Sequence, residues 1–255
     1  MPESPDRSTR ESSRKLVAFV RERFAEMADP QKAVPMAAYM RTSQPFYGVP
    51  HAGIDAIARE VLAQFPVVSR TDYEWYVLAL WRLPHREEQY LAVRYARQKK
   101  LISYESLPLY EQLIREGAWW DFVDEIAAHL VGTALDKDRS RVEPVLDRWI
   151  EDRDFWMRRA ALLAQLRHGR HTNQEQLFRY CLLLCGEREF FLRKAVGWAL
   201  REYSKSSPEA VVNFVETHRA RLSPLTVREA VRHLIRQGEI GSGVCEDASV
   251  RLSLE

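Results

Sequence analysis

A seven-residue block in the second half of the chain recurs 35 residues later. Asp154-Phe155-Trp156-Met157-Arg158-Arg159-Ala160 matches Glu189-Phe190-Phe191-Leu192-Arg193-Lys194-Ala195 position by position in chemical type. Asp121-Phe122, 33 residues before Asp154, is a fainter copy. A period of this size holds two helices with their turns, and one such unit cannot bury its apolar face alone. Stacked units can, so the period points to an α-solenoid of the HEAT or TPR kind. Local patterning agrees. Asp29-Pro30, Ser207-Pro208 and Ser223-Pro224 each set a capping side chain before a proline, which suits a first helical turn. Leu16, Phe19, Val20, Phe24 and Met27 fall at helical spacing, as do Leu177, Cys181 and Leu184. Alternating β-branched runs and Asn-Gly or Asp-Gly hairpin turns are missing. The pattern predicts about thirteen helices, over 12–28, 30–42, 52–64, 70–82, 86–98, 106–116, 119–132, 139–150, 153–168, 172–185, 188–204, 207–219 and 224–236.

With 255 residues the chain is long enough for one large domain or two small ones. The polar start, MPESPDRSTRESSRK, has no apolar core of a signal peptide and reads as a disordered lead over 1–13. A single repeat domain is expected over 14–236 and a frayed tail over 237–255. Three cysteines supply no disulfide framework, which fits a reducing cytoplasmic compartment. Cys181 and Cys185 lack the second pair that a zinc site needs, so both read as core residues and no metal is expected. No apolar run nears the roughly 18 residues of a membrane span.

Helical phase separates ordinary core residues from unusual ones, since each residue advances about 100° around the axis. In the helix from Trp119, the apolar arc is Phe122, Val123, Ile126 and Leu130. Trp120 and Asp124, one turn apart, fall opposite it. Either Trp120 packs against the neighbouring repeat, or it faces a ligand with an acid beside it. In the helix from Arg188, Leu192, Val196, Ala199 and Tyr203 form the apolar stripe. Lys194, Trp198, Arg201 and Lys205 share the other side. Exposing a tryptophan is costly, and an aromatic among cations suits a sugar-phosphate backbone. Arg159 is harder to place. Phe155, Leu162, Leu163 and Leu166 surround it in phase, whereas the repeat puts it at the position of Lys194. Either way it needs an anionic partner, either Asp124 or a phosphate. Residues 137–205 hold 15 Lys+Arg against 10 Asp+Glu, within a chain of net charge +2. The basic charge is concentrated beside these tryptophans.

Other chemistries find no support. There is no P-loop, dinucleotide-binding glycine turn, GxSxG or HExxH pattern. Trp75, Tyr76 and Trp81 share a helix with Leu78 and Leu80 and read as core. His168 and His171 flank a loop at Gly169 and read as solvated.

Five stretches carry a resemblance: WWDFVDEIA (119–127), WMRRAALLAQLR (156–167), FFLRKAVGWALREYSKSSPEAV (190–211), SPLTVREAVRH (223–233) and PMAAYMRTSQPFYGVP (35–50). They resemble, in order and spacing, the AlkD-like DNA alkylation repair proteins, over about residues 14–236. The resemblance implies a C-shaped solenoid of HEAT-like repeats with a basic concave groove. It implies a DNA glycosylase that removes cationic N3-methyladenine and N7-methylguanine bases from duplex DNA, with no need to flip the base and with no cofactor. The family's catalytic aspartate then corresponds to Asp124, its groove tryptophans to Trp120 and Trp198, and its groove arginine to Arg159. Tyr39 corresponds to a tyrosine near the family's N-terminus. Arg158, Lys194, Arg201 and Lys205 are expected to contact DNA. A monomer suits a groove that wraps a duplex. Two other readings remain open: a non-catalytic repeat protein that binds distorted or branched DNA, and a protein-interaction scaffold.

Overall fold

The computed structural model describes residues 6–238 and residue 240. Among them the fold is all-α, without strands, and its helices pack in succession as repeats of an α-solenoid do. No helix among the described residues is long and apolar enough to cross a membrane. The expected single span of 14–236 divides into two compact units, one running up to Ile102 and one from Ser103 onward.

The first unit holds α1 (Arg7–Glu26), α2 (Pro30–Met40), α3 (His51–Gln64), α4 (Arg70–Trp81) and α5 (Arg86–Ala96). Helix α5 packs on α3 and α4, and α1 covers both of the latter. Leu16, Val20 and Phe24 of α1 are fully buried. Phe19 is half-buried against Phe65, and Met27 lies at the surface. The expected disordered lead is corrected from Arg7 onward. Asp6 caps α1 by accepting from the Thr9 N–H at 2.7 Å, and the Thr9 hydroxyl donates to Asp72 on α4 at 2.6 Å. Two polar side chains thus anchor a turn that hydropathy alone leaves unmarked. The aromatic set on α4 reads correctly as core for Tyr76 and Trp81, while Trp75 is half-buried.

The loop after α2 returns beneath α5. The fully buried Glu87 carboxylate accepts from the N–H groups of Tyr47, Gly48 and Val49, at 3.1, 2.8 and 3.1 Å. Gly48 has φ +87°, and a Cβ there would sit 2.0 Å from the Asp29 carbonyl. Only glycine fits both demands.

The second unit comprises α6 (Leu107–Gly117), α7 (Trp120–Ile126), a π-helical turn (Ala127–Val131), α8 (Gly132–Lys137), α9 (Arg139–Trp149), α10 (Phe155–Leu163), α11 (Gln174–Leu184), α12 (Phe190–Ser204), α13 (Pro208–His218) and α14 (Pro224–Gln237). Helices α7, α10, α12 and α14 pack side by side as one layer. Helix α9 packs on α8 and α10, α11 on α10 and α12, and α13 on α12 and α14. The repeat is visible in its caps. Asp154 and Glu189, 35 residues apart, each accept a hydrogen bond from the N–H two residues on, at 2.9 and 3.3 Å. Asp29 and Ser223 cap as their Asp-Pro and Ser-Pro pairs suggest, whereas the Ser207 side chain makes no capping bond. The helix expected over 153–168 ends at Leu163 and passes into turns. Apart from Gln237, Gly238 and the buried Ile240, the expected tail lies outside the described residues.

Candidate active site

The first turn of α7 carries Trp120, and Asp124 follows one turn later. The expected apolar arc of Phe122, Val123, Ile126 and Leu130 is buried to 1% exposure or less. Trp120 and Asp124 remain partly open on the other side. Phase therefore reads this helix correctly up to the π turn.

Arg159 enters from α10. It is 4% exposed, as the surrounding leucines imply, and its anionic partner within the protein is Asp124. Its Nε donates to Asp124 Oδ1 at 2.7 Å and its NH2 donates to Oδ2 at 2.8 Å, a two-pronged fork. Its NH1 donates to the backbone carbonyl of Phe191, in the first turn of α12. One guanidinium thus ties together three successive helices of the layer. Burying both charges is tolerable because each guanidinium nitrogen has an acceptor and both carboxylate oxygens have a donor.

The Asp124 side chain keeps 14% of its surface open. Burial pushes its carboxyl above the ordinary aspartate range. The hydrogen bonds and charge of Arg159 and the ammonium of Lys194 pull it back down, while Asp121 pushes it up. Lys194 is therefore within electrostatic reach of the acid. It is exposed on α12, with its Nζ 5.8 Å from the Phe190 ring centre. Trp198 lies one turn beyond Lys194 on the same face and is half-buried. The opposite stripe, Leu192, Val196, Ala199 and Tyr203, is buried as expected.

The remaining expected contacts divide. Arg201 is held by Glu229 of α14 at 2.6 Å, and Lys205 by Glu202 at 2.5 Å. Arg158 donates to the carbonyls of Asp152 and Arg153 and pairs with Glu187 at 3.2 Å. Each already has an acceptor within the unit. Tyr39 lies on α2 of the first unit with 75% of its surface exposed.

Sequence reading missed the aromatic cluster beside the fork. Trp119, Trp156 and Phe191 meet mutually, with ring centres 5.0–6.0 Å apart. They stand at the starts of α7, α10 and α12, 37 and 35 residues apart, so the repeat itself was the clue. It also misjudged His168. This ring is not simply solvated: its Nε2 lies 3.0 Å from the Gly132 carbonyl and its Nδ1 3.4 Å from Arg139. Cys181 and Cys185 are free thiols, the first fully buried with its pKa pushed up by burial, the second half-buried. Among the described residues no group of three or more His, Cys, Asp or Glu is arranged to hold a metal ion.

The profile of a family described as "DNA alkylation repair enzyme" matches residues 20–234. Among solved structures, one described as "Predicted DNA alkylation repair enzyme from Enterococcus faecalis" is similar at TM-score 0.75 and 29% identity. The match covers 82% of this chain and 97% of that one. No curated protein matches the chain.

Proposed function

The chain belongs to the DNA alkylation repair enzyme family, and from that premise we propose that it is a DNA glycosylase. Its substrates are cationic alkylated purines of the N3-methyladenine and N7-methylguanine type in duplex DNA. It works as a cytoplasmic monomer in base excision repair and needs no cofactor. The observation that carries the reading is the two-pronged contact of buried Arg159 with Asp124, which leaves the carboxylate partly open.

The chemistry asks little of a general acid. An N3- or N7-alkylated purine already carries a positive charge, so breaking the N-glycosidic bond releases a neutral base with both bonding electrons. The sugar is left as an oxocarbenium-like cation, which water captures at C1′ with loss of a proton. What the protein must supply is negative potential beside C1′, fixed before the reaction begins. Asp124 supplies it. Arg159 prevents the carboxylate from rotating, because both oxygens are engaged, and it holds this geometry from α10 and α12 at once. The carboxylate also orients the attacking water. Trp120 and Trp198 present π faces to the cationic sugar and base, worth about 0.5–2 kcal/mol each. Lys194, exposed on the same face as Trp198, neutralises a phosphate, and the exposed Tyr39 also contacts DNA. Arg158, Arg201 and Lys205 reach phosphates by exchanging their present carboxylate or carbonyl acceptors for them.

Because these groups address sugar and backbone, excision proceeds without flipping the base into a pocket. Chromatographic release of methylated bases from alkylated duplex tests the reading. Release by the purified chain is the expected result. Tight binding of branched DNA with no release would instead identify a non-catalytic DNA-binding protein. Absence of any salt-dependent DNA affinity would identify a protein scaffold.

A further inference from the structure

Helix α14 carries Arg228, Arg232 and Arg236 at i, i+4 and i+8. All three are exposed. They lie on the side opposite Thr226, Val227, Ala230, Val231 and Leu234, which are buried against the rest of the unit. Like charges one turn apart oppose helix formation by a few tenths of a kcal/mol per pair, so the stripe is locally unfavourable. Four other arginines of this unit are neutralised at short range: Arg115 by Asp152, Arg139 by Glu143, Arg179 by Asp147 and Arg201 by Glu229, all at 2.6–2.8 Å. Among the described residues neither Arg228 nor Arg236 has an ion-pair partner, and Arg232 has only Glu229 at 3.9 Å.

The stripe is placed relative to the candidate active site by two contacts. Gly197 of α12 lets α14 approach so closely that a Cβ would fall 2.7 Å from the Thr226 carbonyl. Glu229 then bridges the helices, taking Arg201 of α12 at 2.6 Å and lying 3.9 Å from Arg232. Arg201 shares its face with Lys194 and Trp198. Hence the α14 arginines continue the Lys194–Trp198–Arg201 face across the seam, rather than pointing to another side of the unit. Cations at i, i+4 and i+8 on an α-helix are spaced about 6 Å apart along the axis. That repeat is close to the phosphate spacing along one DNA strand, so successive guanidinium groups can meet successive phosphates.

We propose that Arg228, Arg232 and Arg236 form a phosphate-tracking rail that grips duplex DNA beyond the lesion and carries much of the sequence-independent affinity. The inference rests on the glycosylase reading, because it takes double-stranded DNA as the partner. It adds a holding surface, distinct from the groups at the reacting sugar.

The test measures affinity for an undamaged duplex by fluorescence anisotropy over a range of salt concentrations. It compares the wild-type chain with two triple variants, Arg228→Gln/Arg232→Gln/Arg236→Gln and Arg228→Lys/Arg232→Lys/Arg236→Lys. Each phosphate contact contributes about 0.9 to the slope of log affinity against log salt. The glutamine variant is expected to lose about 2–3 from that slope, and the lysine variant to keep it. Glutamine retains helix propensity, and an unchanged cooperative melt verifies that α14 is in place. A glutamine variant with the wild-type slope overturns the rail, as does a lysine variant that loses as much slope as glutamine. If the wild-type chain itself shows no salt-dependent duplex binding, the glycosylase reading fails and the rail with it.

Discussion

Glu87 and Asp124 are both acids withdrawn into the protein, one in each unit, and their surroundings differ in kind. Glu87 is fully buried and takes three backbone N–H groups of the loop after α2. Its charge is used up in holding that loop, and nothing outside could reach it. Asp124 is held by a side chain, Arg159, on another helix, and part of its surface stays open. Burial opposes its ionisation, yet the guanidinium beside it keeps the carboxylate oriented. A buried charge closed off by its own backbone serves the fold, whereas one clamped from behind and open in front can act on a substrate.

That contrast can be broken most severely at the clamp. Arg159→Leu leaves Asp124 without its partner and strips a donor from the Phe191 carbonyl. The expected loss is about 3–5 kcal/mol of stability, together with loss of base release. Denaturant unfolding reads the first and chromatography the second. Stability within 1 kcal/mol, on the order of ordinary surface changes, would mean the pair does not tie the helices together. Glu87→Gln removes charge-assisted hydrogen bonds and is expected to cost about 1–3 kcal/mol, while base release per folded molecule stays near wild type. A large drop in release without unfolding would erase the distinction between the two acids. Trp198→Ala should slow single-turnover release by about 2- to 30-fold, the equivalent of one cation–π contact, with little change in melting.

The smallest effect is in the pH profile. In the proposed reaction Asp124 acts as a carboxylate, and burial raises its pKa, so release is expected to fall as pH drops through a value above the usual 3.8. Lys194 lowers that pKa, so Lys194→Gln should move the acid limb of kcat/KM to higher pH. An unmoved acid limb would place Lys194 out of reach of the acid.

Most of the helical scaffold was legible because repeat spacing and capping act locally. The Asp154 and Glu189 caps, the buried arcs of α7 and α12, and the Asp-Pro start of α2 need only near neighbours in sequence. What escaped depended on distant contacts. The π turn over AAHLV has no marker in its own residues. It lies where Gly132 meets α10 so closely that a Cβ would fall 2.4 Å from the Ala164 carbonyl. The early start of α1 depends on the Thr9 contact with Asp72, 63 residues away. Arg159 and Lys194 share a repeat position, yet one is buried and the other exposed. Only Arg159 has an aspartate on the preceding helix and a free carbonyl lone pair on the following one, and no single-helix pattern encodes that.

The most direct measurement is single-turnover release of a methylated purine from duplex DNA by Asp124→Asn, with DNA affinity and thermal unfolding followed in parallel. Asparagine preserves shape and an acceptor for Arg159 but removes the charge proposed to stabilise the sugar cation. The account predicts release slower by at least about 100-fold, with duplex binding and cooperative folding retained. Release within a few-fold of wild type would contradict it, because the negative potential beside the sugar would then come from somewhere else.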